Sequence, residues 1–303
     1  MPLANTARLL RDARDRGYAV PAFEPYHPDQ LQATIEAAES ARAPVILQLW
    51  SEVIETWGIG MISRLCIDLA QRSAAPLALH LDHSLDEELV YACLDHGFTS
   101  VMFDGSRLPY EQNVEITRRV VRRAQAYGAA VEAELGLIRS MGDYASPEEA
   151  LAELPSLLTS PEQALDFSTR TGIDILAPAI GSIHGCNLPL ARLDIPRVAA
   201  IAKATGLPLA LHGGSGVSAD QIRAAIAAGV AKVNIDAEIR GVYLRALREG
   251  IAAIGSEVNE HTDLARYPRT VRAAVRAALC DRIRMCGAEG RAQAAEPPDC
   301  REV

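Results

Sequence analysis

Leu77-Ala78-Leu79-His80-Leu81-Asp82-His83 is a short apolar run that ends abruptly in an acid and a histidine. A buried strand has no use for Asp82 and His83 at its tip, because ionisable groups there cost free energy unless they are paired or bind metal. The pattern recurs at Ile175-Leu176-Ala177-Pro178-Ala179-Ile180-Gly181-Ser182-Ile183-His184 and at Leu209-Ala210-Leu211-His212-Gly213-Gly214. Three apolar strands each deliver a histidine to one end, and that asks for a metal.

Outward from this stretch, apolar runs alternate with alanine-rich segments of helical period. The runs predict strands at 18–23, 45–49, 77–81, 100–103, 130–134, 173–179, 207–211 and 231–235. The segments between them predict helices at 29–41, 61–72, 86–96, 111–127, 161–171, 195–205 and 219–228. Ser84 reads as one helix start, and Ser218-Ala219-Asp220-Gln221 as a capping box. Several strands begin just after Gly or Pro, as at Gly17, Pro44 and Pro76. Eight strands with helical followers imply an α/β fold of the (β/α)8 TIM-barrel type. A doubly wound sheet is the alternative, but no G-x-G-x-x-G follows an early strand. Residues 1–288 read as a single barrel domain with C-terminal helices, 242–286 being helical. Residues 143–159 read as an irregular insertion over the site. Residues 289–303, with Pro297-Pro298, read as a disordered tail.

The totals agree with this outline. A chain of 303 residues suits one barrel of ~250 residues with extensions. The net charge of −9, with no basic patch interleaved with aromatics, argues against a nucleic-acid partner. Six scattered cysteines without a C-x-x-C pair point to a reducing, cytoplasmic compartment. The N-terminal segment carries Arg8, Arg11, Arg14 and Arg16 in an amphipathic pattern rather than an apolar signal core. No apolar run reaches the ~18 residues that a membrane span needs.

In such barrels the active site lies at the C-terminal ends of the strands. Those ends carry Asp82 and His83, Asp104, Glu134, His184, His212, and Asn234 with Asp236, from the third strand to the eighth. Three imidazoles with an open position are the layout of a catalytic Zn²⁺ site, where the metal acts as a Lewis acid on a carbonyl. One strand-end histidine is most often structural, but three at one end reverse that reading. His80 reads as a packed barrel histidine, and His27, His96 and His261 as solvated. Asp82 is better placed for proton transfer to a substrate oxygen than for ligation, although it could instead orient a neighbouring histidine. Asp104 and Glu134 could hold a second cation, orient the histidines or pair with an arginine. His212-Gly213-Gly214-Ser215-Gly216 leads into a capped helix, where backbone amides can approach a phosphate.

These residues carry a resemblance. LHLDH (79–83), SVMFDGS (100–106), VEAEL (131–135), AIGSIHG (179–185), LHGGSG (211–216) and KVNID (232–236) resemble the motifs of class II, zinc-dependent ketose-bisphosphate aldolases. Fructose- and tagatose-bisphosphate aldolases belong to that family. The resemblance runs from residue 17 to about 292, in the family's order. It implies that His83, His184 and His212 bind Zn²⁺ and that Asp82 exchanges a proton at the bond made or broken. It also implies that Asp104 and Glu134 match a second cation position. Gly185, Gly213, Gly214, Ser215, Asn234 and Asp236 would hold dihydroxyacetone phosphate. Family members are homodimers or homotetramers.

The departures from the family pattern cluster on substrate recognition. Glu24 stands where the family has an amide, and Trp50 where a serine or threonine contacts the acceptor phosphate. The loop after Leu135-Gly136 lacks the paired glutamates, leaving Asp143 as a substitute. The lysine after His184-Gly185 is missing, and Ala237 replaces a threonine hydroxyl. The expectation is a zinc aldolase joining or splitting dihydroxyacetone phosphate, or a close relative, and an altered acceptor aldehyde. An ordinary fructose- or tagatose-bisphosphate aldolase is the alternative. A Schiff-base aldolase would need Lys232, whose parity with Asn234 turns it inward. A metal-dependent hydrolase would need an H-x-H pair that the first strand lacks. A barrel that has lost catalysis and serves as a partner subunit is the reading from another class.

Overall fold

The computed structural model describes residues 3–185, 192–254 and 266–292. Its strands are β1 (Val20–Phe23), β2 (Val45–Trp50), β3 (Leu77–Ser84), β4 (Ser100–Phe103), β5 (Ala130–Leu135), β6 (Ile175–Pro178), β7 (Leu209–Leu211) and β8 (Val230–Ile235). They form a closed barrel in chain order with every neighbouring pair parallel, and β8 returns to β1 with Ala22 opposite Asn234. The expected (β/α)8 fold is the one observed. Strands buried on both faces need near-continuous apolar sequence, and only β2 and β3 carry a residue that is not buried.

The helices around the barrel are α1 (Thr6–Asp15), α2 (Pro28–Ala41), α3 (Ser51–Trp57), α4 (Ile59–Arg72), α5 (Glu87–Asp95) and α6 (Tyr110–Gln125). They continue with α7 (Pro147–Leu157), α8 (Pro161–Thr171), α9 (Ile195–Thr205), α10 (Ala219–Ala227), α11 (Ala237–Ile254) and α12 (Arg266–Met285). Side chains of Asn5, Ser146, Ser160, Asp194 and Ser218 accept from the first-turn amides, satisfying donors that have no intrahelical partner. Left-handed Gly172 and Gly206 close α8 and α9.

Four local readings are corrected. The cap of α5 is Asp86, which accepts from the Glu88 amide, while Ser84 ends β3. The segment 143–159 is not irregular, because α7 starts at Pro147 behind the Ser146 cap. Helix α3 has no counterpart among the expected helices. The third strand runs on to Ser84 rather than stopping at Leu81, for a reason that belongs to the site. Ser218 supplies the forward half of its expected capping box, accepting from the Gln221 amide. Of the expected tail, Gly290 and Ala292 donate to the carbonyls of Ala41 and Arg42 at the end of α2. Residues 293–303, 255–265 and 186–191 lie outside the described residues, and with them His261, Cys186 and Cys300. No helix of the described residues is long and apolar enough to cross a membrane.

Candidate active site at the C-terminal mouth of the barrel

A regular strand turns successive side chains to opposite faces, yet Asp82 and His83 both line one cavity at the barrel mouth. The backbone resolves this. His83 has φ +38°, and the pairing of β3 with β4 shifts register between Leu81 and Ser84. Such an extra residue re-aims a side chain, and a left-handed non-glycine residue costs about 1–3 kcal/mol that the surroundings must offset. The cavity, of about 660 Å³, is also lined by Glu24, Trp50, Asp104, His184, Gly185, Gly213, Ser215, Asn234 and Asp236.

Ligand atoms of His83, Glu134, His184 and His212 lie within 4.8 Å of one another. Among them, His83 Nε2 and His212 Nδ1 are 2.9 Å apart. Each of these rings has its other nitrogen against a carboxylate: His83 Nδ1 on Asp104 Oδ2 at 2.9 Å and His212 Nε2 on Glu132 Oε1 at 2.7 Å. The facing nitrogens therefore need a proton or a cation between them. Glu134 Oε2 is buried without a hydrogen-bond partner, 3.7 Å from His212 Nδ1. His184 is held by its backbone, which donates to the Arg139 carbonyl and accepts from the Met141 amide.

The charges follow from this packing. Burial pulls the His83 imidazolium down, but Asp82, the Asp104 hydrogen bond and Glu134 outweigh it and raise His83 to about 10. Burial lowers His184 and His212, reinforced by charge on His83. Glu134 is raised to about 8 by burial and by Asp104. Asp104, despite burial, is held below the usual carboxylate range by His83.

Asp82, only 4% exposed, is fixed from two sides. Gln48 Nε2 donates to its Oδ2 at 3.0 Å and Asn234 Nδ2 to its Oδ1 at 3.2 Å. Burial pushes Asp82 up, but His83 and Lys232 hold it down. Glu24 goes the other way. Burial, Asp82 and Asp236 raise it well above the usual range, while its Oε1 accepts from the Trp50 amide at 2.5 Å. Asp236 is raised by burial and pairs with Arg240 at 3.2 Å.

The glycine loop has little freedom. Gly213 has φ +66°, and a Cβ there would meet the Ile183 carbonyl at 2.6 Å. A Cβ on Gly214 would meet the Asn234 carbonyl at 2.7 Å, so Gly214 supports the loop from beneath and Ser215 faces the cavity. The structure does not bring Asp143 to the cavity wall: its Oδ2 caps its own turn at the Ser140 amide and meets Arg107 at 3.4 Å. Lys232 is fully buried and ion-paired with Glu132 at 2.9 Å. His80 is fully buried, as expected, and bonded to Ser100, while His96 is exposed and exposed His27 stacks on Tyr243. Two residues escaped the sequence reading, Gln48 and Glu132. Their signal was available, because Glu132 shares the inward parity of Glu134 and Gln48 that of Trp50.

The family model described as "Fructose-bisphosphate aldolase class-II" matches residues 4–291. The chain belongs to that family. It is 38% identical to a fructose-bisphosphate aldolase of Thermus caldophilus, over 96% of this chain and all of that one. The YdjI aldolase of Escherichia coli K12 superposes with a TM-score of 0.80 at 30% identity, covering 96% of this chain and 100% of the other. A Coccidioides immitis structure described as "a putative fructose-1,6-biphosphate aldolase" gives 0.82 at 30% identity, over 95% and 97%. This class II aldolase is thus a carbon–carbon lyase of a metal-dependent family whose substrates are phosphorylated sugars. Its site fits a cation: three ring nitrogens, a buried carboxylate oxygen without a partner, and carboxylates holding the outer nitrogens of two rings.

Proposed function

We propose that this aldolase uses Zn²⁺ to join or split dihydroxyacetone phosphate, or a close relative, and an aldehyde other than glyceraldehyde 3-phosphate. The convergence of His83, His184, His212 and Glu134 beside a doubly anchored Asp82 carries the reading. Three nitrogens and one oxygen are a donor set suited to zinc, with His83, His184 and His212 as its ligands. Glu134 joins them or takes a second cation, and Asp104 orients His83. When bound, the metal supplies Lewis-acid polarisation of the donor carbonyl.

The chain's own residues do the rest. In cleavage, Asp82 takes the proton of the hydroxyl on the carbon that becomes the aldehyde, and in synthesis it returns that proton. Its lowered proton affinity and its two amide donors keep it ionised and aimed for this. Gly185, Gly213, Ser215, Asn234 and Asp236 line the donor end, where backbone amides approach a phosphate. Asp143 would have to leave its cap to act as the loop acid.

The acceptor end supports the altered aldehyde. There Glu24 lines the cavity with Asp82 and Trp50, and burial first, then the charges of Asp82 and Asp236, raises Glu24 above the usual carboxylate range. A phosphate dianion brought to that end meets acids, and Trp50 offers it an apolar face. Arg107 on the rim is largely exposed and already meets Asp143. An uncharged, hydroxyl-bearing aldehyde suits these surroundings. The Thermus caldophilus relative favours the second reading, an ordinary fructose-bisphosphate aldolase. Zinc-loaded enzyme incubated with dihydroxyacetone phosphate and a panel of aldehydes, with products weighed by mass spectrometry, separates them. Preference for glyceraldehyde 3-phosphate would remove the altered-acceptor reading. The enzyme works as a homodimer or homotetramer in the cytoplasm, a compartment in keeping with the free thiols of Cys66, Cys93, Cys280 and Cys286.

A further inference from the structure

Beneath the metal pocket lies an ionic group that the reaction does not use. Lys232 of β8, Glu132 of β5, His80 of β3 and His212 at the end of β7 are all fully buried. Lys232 Nζ donates to Glu132 Oε1 at 3.0 Å and lies 2.9 Å from Oε2. An ammonium has only donors, so the His80 Nε2 found 3.3 Å from Nζ must accept. His80 then carries its proton on Nδ1 and donates it to Ser100 Oγ at 2.8 Å. On the far side, Glu132 Oε1 meets His212 Nε2 at 2.7 Å.

We propose that Lys232 is a positioning residue that, through Glu132, fixes which nitrogen of His212 faces the metal pocket. The inference rests on the metal reading above. An ionised carboxylate is an acceptor only, so His212 must bring its proton to Glu132 on Nε2. The other nitrogen, Nδ1, is then left bare, and it is Nδ1 that faces His83 Nε2 and Glu134. The arrangement needs a carboxylate that stays an acceptor where no water reaches it. An unpaired buried charge is strongly destabilising, and the Lys232 ammonium is the counter-charge in contact with Glu132. His80, itself held by Ser100, meets that ammonium from the other side, so that the tautomer of a ligand at the end of β7 is set by side chains from β3, β4, β5 and β8. Lys232 thereby has a use that needs no covalent bond to substrate.

Two measurements test this. In zinc-loaded protein labelled with ¹⁵N-histidine, long-range proton–nitrogen correlation should show the His212 proton on Nε2 and none on Nδ1. A proton on Nδ1 overturns the proposal. Lys232→Met and Glu132→Gln should each weaken Zn²⁺ or Co²⁺ binding by ~10–100-fold in competition with a chelator, and should change the visible spectrum of the Co²⁺ form. Both effects should appear with the far-ultraviolet circular dichroism unchanged, since a role limited to folding would leave the Co²⁺ spectrum of the folded fraction as it was. If Lys232→Met does not fold, the double variant Lys232→Met/Glu132→Gln leaves no unpaired charge and should show the same loss. Metal binding within twofold of the parent in the folded variants overturns the proposal alone. Failure of the parent protein to bind either metal would overturn the metal reading with it.

Discussion

Loading of the cation should release protons, and the number can be worked from the site. His83 holds its proton to about 10 because Asp82, Asp104 and Glu134 outweigh the burial that pulls it down. Glu134 holds one to about 8 through burial and the nearby Asp104. Burial lowers His184 and His212, disfavouring their doubly protonated forms. In the metal-free protein, protonated His83 donates through Nδ1 to Asp104 and through Nε2 to His212 Nδ1, so its second proton occupies the gap between the facing rings. A cation must displace that proton and the one on Glu134. Protons compete with metal, so affinity falls as pH falls. Below pH 8 about two protons leave per cation, which makes the affinity rise ~100-fold, or about 2.7 kcal/mol, for each pH unit. Between pH 8 and 10 only His83 still competes, and the slope drops to ~10-fold per unit. Calorimetric titration with Zn²⁺ at pH 7 and pH 9, in buffers of different ionisation heat, counts the protons directly. An affinity flat from pH 6 to 8, with no proton released, would refute the reasoning, since His83 and Glu134 could not then both be ligands.

Other perturbations separate the roles. Asp82→Asn should leave the bound metal in place and lower turnover by ~10²–10⁴-fold, as followed by metal analysis beside steady-state kinetics; loss of metal would make Asp82 structural. Glu24→Asn removes an acid from the acceptor wall and should move the kcat/KM ratio towards glyceraldehyde 3-phosphate over glyceraldehyde by ~10-fold, about 1.4 kcal/mol. An unchanged ratio would clear Glu24 of a part in specificity. Gly213→Ala places a Cβ against the Ile183 carbonyl at φ +66° and should raise KM for the donor while costing ~1–3 kcal/mol of stability in thermal melts.

Much of the barrel was legible because its strands are apolar on both faces and its helices begin at Ser, Asp and Pro. What the sequence hid was where local rules give way to tertiary context. The apolar run of β3 ends at Leu81, so the strand looked finished there. It continues to Ser84 only because His83 accepts a left-handed backbone that no local signal announces. Helix α3 is short and its N-cap, Trp50, makes no side-chain cap, so nothing marked its start. Helix α7 did carry a start signal in Ser146-Pro147-Glu148-Glu149, but Pro155 inside it reads as a breaker. At the site, the strand-end histidines were readable from pattern alone. Whether Asp104 and Glu134 touch metal or histidine is a matter of ångströms. In this structure Asp104 bonds His83, while Glu134 joins the cluster. Glu132 carries no local signal, since an acid within an apolar strand stands out only once inward parity is counted, and Lys232 reads as a nucleophile in sequence because its ion pair with Glu132 is a tertiary contact.

Metal-dependent carbon–carbon bond chemistry is the claim on which everything else depends. The most direct test is to follow adduct formation from dihydroxyacetone phosphate and an aldehyde by the parent enzyme, by the same enzyme stripped with a chelator, and after Zn²⁺ is restored. Adduct should form, vanish with the metal and return with it, with no borohydride-trapped substrate on Lys232 in any sample. Adduct formation that survives removal of the metal, together with trapping at Lys232, would contradict the account.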